Sequence, residues 1–345
     1  MLEVNCTGAP RSIGFTHGTT ARSSVHGSLA FYKTLFQTKC KMDWSDAKSF
    51  ALKYHPYLKQ KWPQYVLEME GVAEGAGVSY KDILALNVRT EIAFGSFNDG
   101  CTGISWKSEA KSLLGQNWDW NIEQAQNLIR LNIKKEDGKS IQMITEAGIL
   151  GKIGLNSYGV GCTMNAITAK GVSYTKIPCH LALRTIMESA SRSAAIQRLE
   201  EEGVASSCHL LVADITGGTG LECSSEDIVR LEMDKSGVVM HTNHYILPHK
   251  QSVVESQTWM PNTWFRLERI GRLVSLVKEE GPRVEVMERL FQDNMLGDGA
   301  SICRAYNEKD DLATLFSIVM DLGERWAKVC IGLPVDPVEV LVLNP

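Results

Sequence analysis

The sequence predicts an α+β fold in which stacked sheets are covered by layers of helices. Three observations lead to this prediction. The chain up to Gly95 is mostly helical in pattern, the segment after Gly100 is a run of short hairpins, and blocks of helices and strands alternate irregularly after Cys179. Such blocks argue against a doubly wound parallel sheet. Because no Ser/Gly-rich linker divides the 345 residues, we expect one domain spanning 1–345.

The expected helices are placed by their start and stop residues. Pro63 opens one helix, since proline in the first turn loses no needed N–H group. Ser79 is expected to be the N-cap of the next helix, and Gly203 the C-cap of a later one. The expected helices cover residues 44–58, 63–77, 79–95, 179–203 and 263–291.

The expected strands are short apolar or alternating segments separated by turn residues. Glu136-Asp137-Gly138 is one such turn, and the last two strands are expected to form a hairpin. The expected strand segments are CTGISW, KSLLGQNWDW, NLIRLNIKK, SIQMITEAGILG, KIGLNSYGVGCTMNA, CHLLVADITGG, TGLECSS, DIVRLEMDKSGVVMHTNH, ATLFSIVMDLGE and RWAKVCIGLP.

Composition excludes several classes of function. The net charge of −4 gives no overall basic field, so we expect no nucleic-acid partner. The first residues lack a signal peptide, and no stretch approaches the roughly 20 apolar residues that span a bilayer, so we expect a soluble, intracellular protein without membrane binding. The nine cysteines are scattered and odd in number, which is typical of reduced thiols. We expect no metal, since no cysteine or carboxylate cluster joins His241 and His244.

Cys101 differs from the other cysteines in its neighbours. A lone cysteine is usually a small buried apolar residue. Gly100, however, leaves the preceding carbonyl sterically open, and Asp99 adds a polar group beside it. A thiol placed there can attack the Gly100 carbonyl and release a chain that begins with Cys101. The new α-amino group, with an unperturbed pKa of about 7.7 to 8.0, can then act as the base for the thiol of the same residue.

Such chemistry also needs donors for an oxyanion and a group that holds the amine. Polar residues at the ends of apolar strands are candidates: Asp119, Asn165, Asn243 and Arg304. Each also has an ordinary structural interpretation, as a turn or cap residue for Asp and Asn and as a surface ion pair for Arg.

Together these motifs resemble a known family. DGCT, GQNWD, ITEAGILGKIG, HTNH and SICRAY, with NVRTEIAFG upstream, closely resemble the fungal isopenicillin N acyltransferase family, the acyl-coenzyme A:6-aminopenicillanic acid acyltransferases. The likeness runs from CTGAPRSIGFTHG to GLPVDP. It implies the N-terminal nucleophile hydrolase fold, a four-layer αββα sandwich made as a proenzyme that cuts itself.

The resemblance also implies roles for individual residues. Cys101 would be the nucleophile, with cleavage at Gly100-Cys101 giving an α subunit of 1–100 and a β subunit of 101–345 that form a heterodimer. Asp119 matches an aspartate near the nucleophile, Asn243 a side-chain oxyanion donor, and Arg304 an active-site arginine. Ser224, in LECSS, matches a serine needed for activity, and Asn165 is added by analogy with a second asparagine of bile-acid and penicillin V amidases.

The implied reaction is acyl transfer in penicillin biosynthesis. The acyl group would come from acyl-coenzyme A, a co-substrate and not a bound cofactor, or from isopenicillin N, and it would pass to 6-aminopenicillanic acid. One alternative is an amidohydrolase or acyltransferase paralogue acting on another small amide. A second alternative is a catalytically silent binding protein.

Two departures from the family pattern concern the substrate and the location. The chain ends in VLVLNP and not in a peroxisomal tripeptide, so we expect a cytoplasmic protein, with a peroxisomal one as the alternative. Gly103 stands where the family has threonine or another larger residue, which predicts a changed acyl pocket or slower self-cleavage.

Overall fold

Two large sheets packed face to face form the centre of the computed structural model, which describes residues 1–93, 100–255, 262–295, 301–306 and 311–345. The strands are β1 (Leu2–Gly8), β2 (Gly100–Lys107), β3 (Ser112–Asn121), β4 (Leu128–Lys135), β5 (Ser140–Glu146), β6 (Ile153–Asn156), β7 (Gly161–Ala166), β8 (Cys208–Asp214), β9 (Gly217–Cys223), β10 (Ile228–Glu232), β11 (Val238–His241), β12 (Leu312–Asp321), β13 (Trp326–Leu333) and β14 (Asp336–Leu343). The α-helices are α1 (Pro10–Thr20), α2 (Arg22–Leu35), α3 (Trp44–Leu52), α4 (His55–Lys61), α5 (Pro63–Ala76), α6 (Tyr80–Asn87), α7 (Arg89–Ala93), α8 (Cys179–Met187), α9 (Arg192–Glu202), α10 (Thr263–Leu276) and α11 (Val284–Phe291).

The strand order explains why the sequence pattern predicts a run of hairpins. One sheet has eight strands in the order β1-β4-β5-β6-β7-β8-β9-β10, and the other has six in the order β11-β2-β3-β12-β13-β14. Most neighbours are also consecutive in the sequence and pair antiparallel. The non-consecutive neighbours are β1 with β4, β2 with β11, and β3 with β12. Among the described strands, β1 and β4 are the one pair that is parallel. The first strand of the chain is therefore built into the sheet that the later hairpins form.

Helices cover the outer faces of both sheets. On the six-stranded sheet, an apolar cluster joins Trp106 of β2 to Ile270 of α10 and Phe291 of α11. On the eight-stranded sheet, Arg184 of α8 donates a hydrogen bond to the Leu150 carbonyl at 3.0 Å. The inner faces meet, and Gln116 Nε2 of β3 donates to the Met164 carbonyl of β7 at 2.6 Å. The predicted α+β, four-layer αββα sandwich is confirmed.

Several expected helices are interrupted. The helix expected over 44–58 is two helices, because Pro56 lacks the N–H needed inside a continuous helix and instead occupies the first turn of α4. The segment 79–93 also forms two helices, which meet at Val88, and the expected end of that helix lies outside the described residues. In 179–203 the Ser191 side chain caps a new helix by accepting the Ala194 N–H. In 263–291 the break falls at Gly281, which has a φ of +68°.

Two strands are absent from the sequence predictions. β1 precedes the helical region, and β14 ends the six-stranded sheet as an edge strand. Val338, Val340 and Val342 of β14 face outward, so their alternation is that of a strand with one solvated face. Pro337 lies in this edge strand, where a missing donor is tolerated.

Helices α1 and α5 pack closely through glycines spaced four residues apart on each helix. A Cβ atom added to Gly14 would lie 1.9 Å from the Glu68 carbonyl oxygen, and one added to Gly71 would lie 2.2 Å from the Arg11 carbonyl oxygen. A Cβ atom added to Gly18 would lie 2.2 Å from the Val72 carbonyl oxygen of α5. The two backbones are therefore in direct contact, which no other residue type would allow.

Candidate active site

Cys101 lies near the start of β2 and is fully buried. It faces Trp118 of β3 in the strand register. Gly103, which shares its face of the strand, approaches Asn165 and Thr163 of the other sheet. The Cys101 side chain thus belongs to the face of β2 that is turned toward the eight-stranded sheet.

Gly100 precedes Cys101 in the same strand, directly opposite Asp119 of β3. A Cβ atom added to Gly100 would lie 2.8 Å from Oδ2 of Asp119 and 3.4 Å from Nη1 of Arg304. Glycine at this position therefore leaves room for a carboxylate and a guanidinium beside the bond between Gly100 and Cys101. Asp99, which the sequence places next to this bond, lies outside the described residues.

Asp119 and Arg304 are connected through Thr314 of β12. The Thr314 hydroxyl donates to Oδ1 of Asp119 at 2.7 Å and accepts the Arg304 N–H at 2.9 Å. The pairing of β12 with β3 shifts register between Thr314 and Phe316, as at a β-bulge. Bulges are frequent next to active sites, where they redirect side chains. Asn117 fixes the adjoining segment by donating to the Ile302 carbonyl at 3.0 Å.

Asn243 contacts Cys101 directly. Its Oδ1 accepts the Cys101 N–H at 3.0 Å, and its Nδ2 donates to the Ala166 carbonyl at 3.0 Å. Its own N–H donates to the hydroxyl of Thr263 at 2.7 Å. Cys101, Asn243 and Thr263 are fully buried, and the asparagine is held on three sides.

Asn165 lies on the other side of the same interior. Its Nδ2 donates to the His241 carbonyl at 3.3 Å, and Nδ1 of His209 lies 3.1 Å from its Oδ1. A Cβ atom on Gly103 would lie 3.3 Å from that Oδ1, which is a tight contact. The glycine that departs from the family pattern is thus packed against Asn165.

Ser224 has a different environment. Its hydroxyl donates to Oδ1 of Asp227 at 2.5 Å and accepts the Asp227 N–H at 2.9 Å, so it caps the turn after β9. The structure therefore places Cys101, Asp119, Asn243, Arg304 and Asn165 around the start of β2, and Ser224 in an adjacent turn.

A carboxylate supports the loop that carries Asn243. Glu222 of β9 accepts hydrogen bonds from His241 Nε2 at 2.8 Å and from the Ile246 N–H at 2.6 Å. Burial alone would raise the pKa of Glu222, but hydrogen bonds from His241 and His249 outweigh it and hold the pKa below its usual value. The ionised carboxylate thus ties both ends of the loop to the eight-stranded sheet.

Two further residues of the site were missed at the sequence level. Arg266 of α10 is fully buried and donates to the Cys101 carbonyl at 2.5 Å and to Oδ1 of Asn243 at 2.8 Å. Thr263, at the start of the same helix, accepts the Asn243 N–H. One pattern points to Arg266: it stands four and eight residues before Ile270 and Val274, so an arginine occupies the apolar face of the helix.

The other cysteines include buried thiols whose pKa is raised. All nine cysteines are free. Burial raises the pKa of Cys6 to about 12 and that of Cys303 to about 11. Such thiols stay protonated and inert near neutral pH, which is the usual role of a buried cysteine.

No cluster of metal-ligating side chains occurs among the described residues, and none of the helices described is long and apolar enough to cross a bilayer. What the site offers is a buried thiol, an amide oxygen on the nitrogen of the same residue, amide donors at Asn243 and Asn165, and charged groups beside the preceding glycine. These are the components of nucleophilic acyl chemistry with oxyanion stabilisation.

Comparison with known proteins places this chain in a family. The acyl-coenzyme A:6-aminopenicillanic acid acyl-transferase family model matches residues 106–336. A curated relative, the 40 kDa form of acyl-coenzyme A:6-aminopenicillanic-acid-acyltransferase from Emericella nidulans, is 37% identical over 348 residues, covering 100% of this chain and 96% of the relative. That alignment includes Cys101, which precedes the residues that the family model matches.

Solved structures with weaker similarity were also found. A variant of conjugated bile acid hydrolase from Clostridium perfringens has a TM-score of 0.48 and 13% identity, covering 71% of this chain and 92% of that chain. Penicillin V acylase from Agrobacterium tumefaciens has a TM-score of 0.45 and 10% identity, covering 71% of this chain and 86% of that chain.

The family model and the curated relative define the class: an enzyme of acyl transfer. On the two sequence matches, the chain belongs to the acyl-coenzyme A:6-aminopenicillanic acid acyl-transferase family.

Proposed function

We propose that this chain cuts its own backbone between Gly100 and Cys101 and then uses the exposed Cys101 to transfer acyl groups. One observation carries the proposal: the Cys101 N–H is held by Oδ1 of Asn243, while Asp119 and Arg304 flank Gly100 on the other side of the bond. The bond to be cut and the residue to be freed are thus both fixed by buried polar groups.

In the first step the Cys101 sulfur attacks the carbonyl carbon of Gly100. The C–N bond breaks, the nitrogen takes up a proton, and the glycyl group is left on sulfur as a thioester. Water then hydrolyses the thioester and yields the Gly100 carboxylate, the free thiol and the α-amino group of Cys101. The products are an α chain of 1–100 and a β chain of 101–345, which remain together as a heterodimer.

In the second step the new amine accepts the proton of the Cys101 thiol. The thiolate attacks the acyl carbonyl, and the tetrahedral oxyanion is stabilised by amide N–H groups, for which Asn243 Nδ2 and Asn165 Nδ2 are proposed. The leaving group departs with a proton and an acyl-enzyme remains. An incoming amine then attacks this thioester, takes the acyl group and restores the thiol, which gives ping-pong kinetics.

Acyl-coenzyme A and 6-aminopenicillanic acid follow from the relative's name, and isopenicillin N follows from the family resemblance. We propose acyl-coenzyme A as the acyl donor, with isopenicillin N as an alternative donor, and 6-aminopenicillanic acid as the acceptor. Coenzyme A acts here as the leaving group of a substrate and not as a resident cofactor.

Ser224 is proposed to act at a distance from the reacting atoms. Its hydroxyl is bonded to Asp227, whose Oδ1 lies 2.8 Å from His249 Nδ1, and His249 Nε2 lies 3.4 Å from Glu222. Since Glu222 anchors the loop of Asn243, loss of the serine would loosen the oxyanion donor and leave the nucleophile itself in place.

The self-cleavage is tested by intact mass. Wild-type protein should separate under denaturing conditions into residues 1–100 and 101–345, whereas Cys101→Ala should remain one chain without turnover. Cys330→Ala is the matched control, because this partly exposed thiol of β13 lies outside the site, and it should process normally. Normal processing of Cys101→Ala would refute the assignment of the nucleophile.

Acyl transfer is tested with phenylacetyl-coenzyme A. Thiol release and formation of the acylated β-lactam are followed with and without 6-aminopenicillanic acid. We expect faster release when the amine is present, because the acyl-enzyme is then resolved by aminolysis. Release that does not depend on the amine, with no acylated product, would identify water as the acceptor and make the protein an amidohydrolase.

A further inference from the structure

We infer that Arg266 is a positioning residue that clamps the nucleophile and the oxyanion donor to helix α10. The inference rests on the proposed function, since it concerns the same site. Neither the motifs nor the residue pattern around Cys101 includes this arginine. Its role follows from the groups that its guanidinium contacts.

The guanidinium joins three separate segments of the chain. Its Nη1 donates to the Cys101 carbonyl at 2.5 Å, its Nη2 to Oδ1 of Asn243 at 2.8 Å, and its Nε to Oδ1 of Asn262 at 3.0 Å. Nη1 also approaches the hydroxyl of Thr102 at 3.3 Å. One side chain thus fixes the start of β2, the loop after β11 and the first turn of α10.

This arrangement requires arginine in particular. The guanidinium is planar and presents its donors in a rigid fork, so it can hold two acceptors on different segments at a fixed separation. A lysine ammonium at the same place is a single point and cannot reach the Cys101 carbonyl, Asn243 and Asn262 with the same geometry. Because Arg266 is fully buried, water cannot replace the bonds that such a change would remove.

The contacts fix both reacting partners at once. Oδ1 of Asn243 accepts from Arg266 and from the Cys101 N–H, so the asparagine amide cannot rotate and its Nδ2 must point away as a donor. Cys101 is held at its N–H by Asn243 and at its carbonyl by Arg266. Its sulfur is therefore positioned relative to Gly100 before cleavage and relative to the acyl carbonyl afterwards.

The first test compares Arg266→Lys with Arg269→Lys. Arg269 lies one turn further along α10, pairs with Asp293 and is the matched control for an arginine-to-lysine change in this helix. The first-order rate of self-cleavage is measured by intact mass at a temperature where melting curves show both variants folded. We expect Arg266→Lys to cleave about tenfold to a hundredfold more slowly, as for a misplaced reacting group, and Arg269→Lys to match wild type. Wild-type cleavage of Arg266→Lys would overturn the inference.

The second test separates positioning from general stability. After processing, the fraction of Cys101 that iodoacetamide alkylates is measured by peptide mass, because Cys40 and Cys330 are also partly exposed. The value of kcat per reactive Cys101 and KM for phenylacetyl-coenzyme A are then measured. Positioning predicts a lower kcat per reactive Cys101 with an unchanged KM, because Arg266 acts through Cys101 and Asn243. A fall in the fraction of reactive Cys101 with normal kcat per reactive Cys101 would mean a structural role and overturn the inference.

A second variant keeps the inference testable if Arg266→Lys does not fold. Asn262→Ala removes only the acceptor of Nε, so it should slow cleavage in the same way by a smaller factor. Unchanged rates in Asn262→Ala would then reject the clamp. Failure of the proposed function looks different, since wild-type protein would itself remain uncut.

Discussion

At the residue scale, the bond between Gly100 and Cys101 is surrounded by groups from four segments of the chain. Asp119 and Arg304 lie beside Gly100, while Asn243 and Arg266 hold Cys101. The first three could be predicted from the sequence because each stands in a short motif that resembles the family. For Arg266 the sequence shows only an arginine on the apolar face of α10. Its contact with Cys101 could not be predicted, since the face of α10 that meets β2 is decided by tertiary packing.

Gly100→Ala should slow self-cleavage. The added methyl group would lie 2.8 Å from Oδ2 of Asp119, so the carboxylate or the strand must move, and small displacements at a reacting centre cost up to about a hundredfold in rate. Gly271→Ala in α10 is the control, because its new methyl group would meet only Met240 Cε at 3.7 Å. Intact mass against time measures both variants. Equal rates would show that the space beside Gly100 does not affect the reaction.

At the element scale, the sequence predicted most helices but not their breaks or contacts. Pro63 correctly marks the start of α5, because proline in the first turn of a helix is a local feature. Gly77, with a left-handed φ of 71°, ends the helix. The packing of α5 on α1 is not local, because Gly14 and Gly71 lie far apart in the chain. Each must lie against the backbone of the opposite helix. β1 was missed for the same reason, since its partner β4 lies far along the chain.

Gly71→Ala should destabilise the protein by about 3 kcal/mol, at the upper end of the range for overpacking. Its methyl group would lie 2.2 Å from the Arg11 carbonyl oxygen, and a helix backbone cannot yield as a flexible side chain does. The free energy of unfolding is measured by urea denaturation in an uncut Cys101→Ala background, where one chain unfolds. Gly271→Ala again serves for comparison and should be neutral or stabilising, because alanine favours a helix by about 1 kcal/mol over glycine. A loss below about 0.5 kcal/mol in Gly71→Ala would contradict direct backbone packing.

At the scale of the whole molecule, stacked sheets with helix layers were predictable, because blocks of strands and helices limit the architectures that can bury both sheets. The four-layer αββα order was implied by the family resemblance. The strand order was not predictable, and it is this order that places β11 beside β2 and so brings Asn243 to Cys101. The helix layer is joined to the eight-stranded sheet by polar groups as well, such as His17 of α1, whose Nε2 accepts the Gly148 N–H at 3.0 Å.

His17 should make the stability of the protein depend on pH. Burial lowers its pKa to about 4, from about 6.5 in an unfolded chain. Between these values the unfolded state binds a proton that the native state does not, so the free energy of unfolding rises with pH by about 1.4 kcal/mol per pH unit and levels off above about 6.5.

Urea denaturation from pH 4.5 to 7.5 tests this dependence. His17→Gln should have a smaller slope in that window than wild type. Some slope should remain, because the pKa of His244 is also lowered to about 4, first by burial and then by the charges of His241 and Arg266. Identical slopes in the two proteins would mean that His17 is protonated equally in both states.

The parallel pairing of β1 with β4 has a consequence for the proposed cleavage at Gly100. The strand belongs to residues 1–100 and its partner to residues 101–345, and the helices of the shorter piece supply buried side chains such as Tyr32 and Ile83 to the common core. Separating the two chains would break the hydrogen bonds between β1 and β4 and expose the buried apolar side chains of the helices in residues 1–100 to water. Scission at Gly100 would therefore release nothing, and extreme dilution should leave the specific activity unchanged.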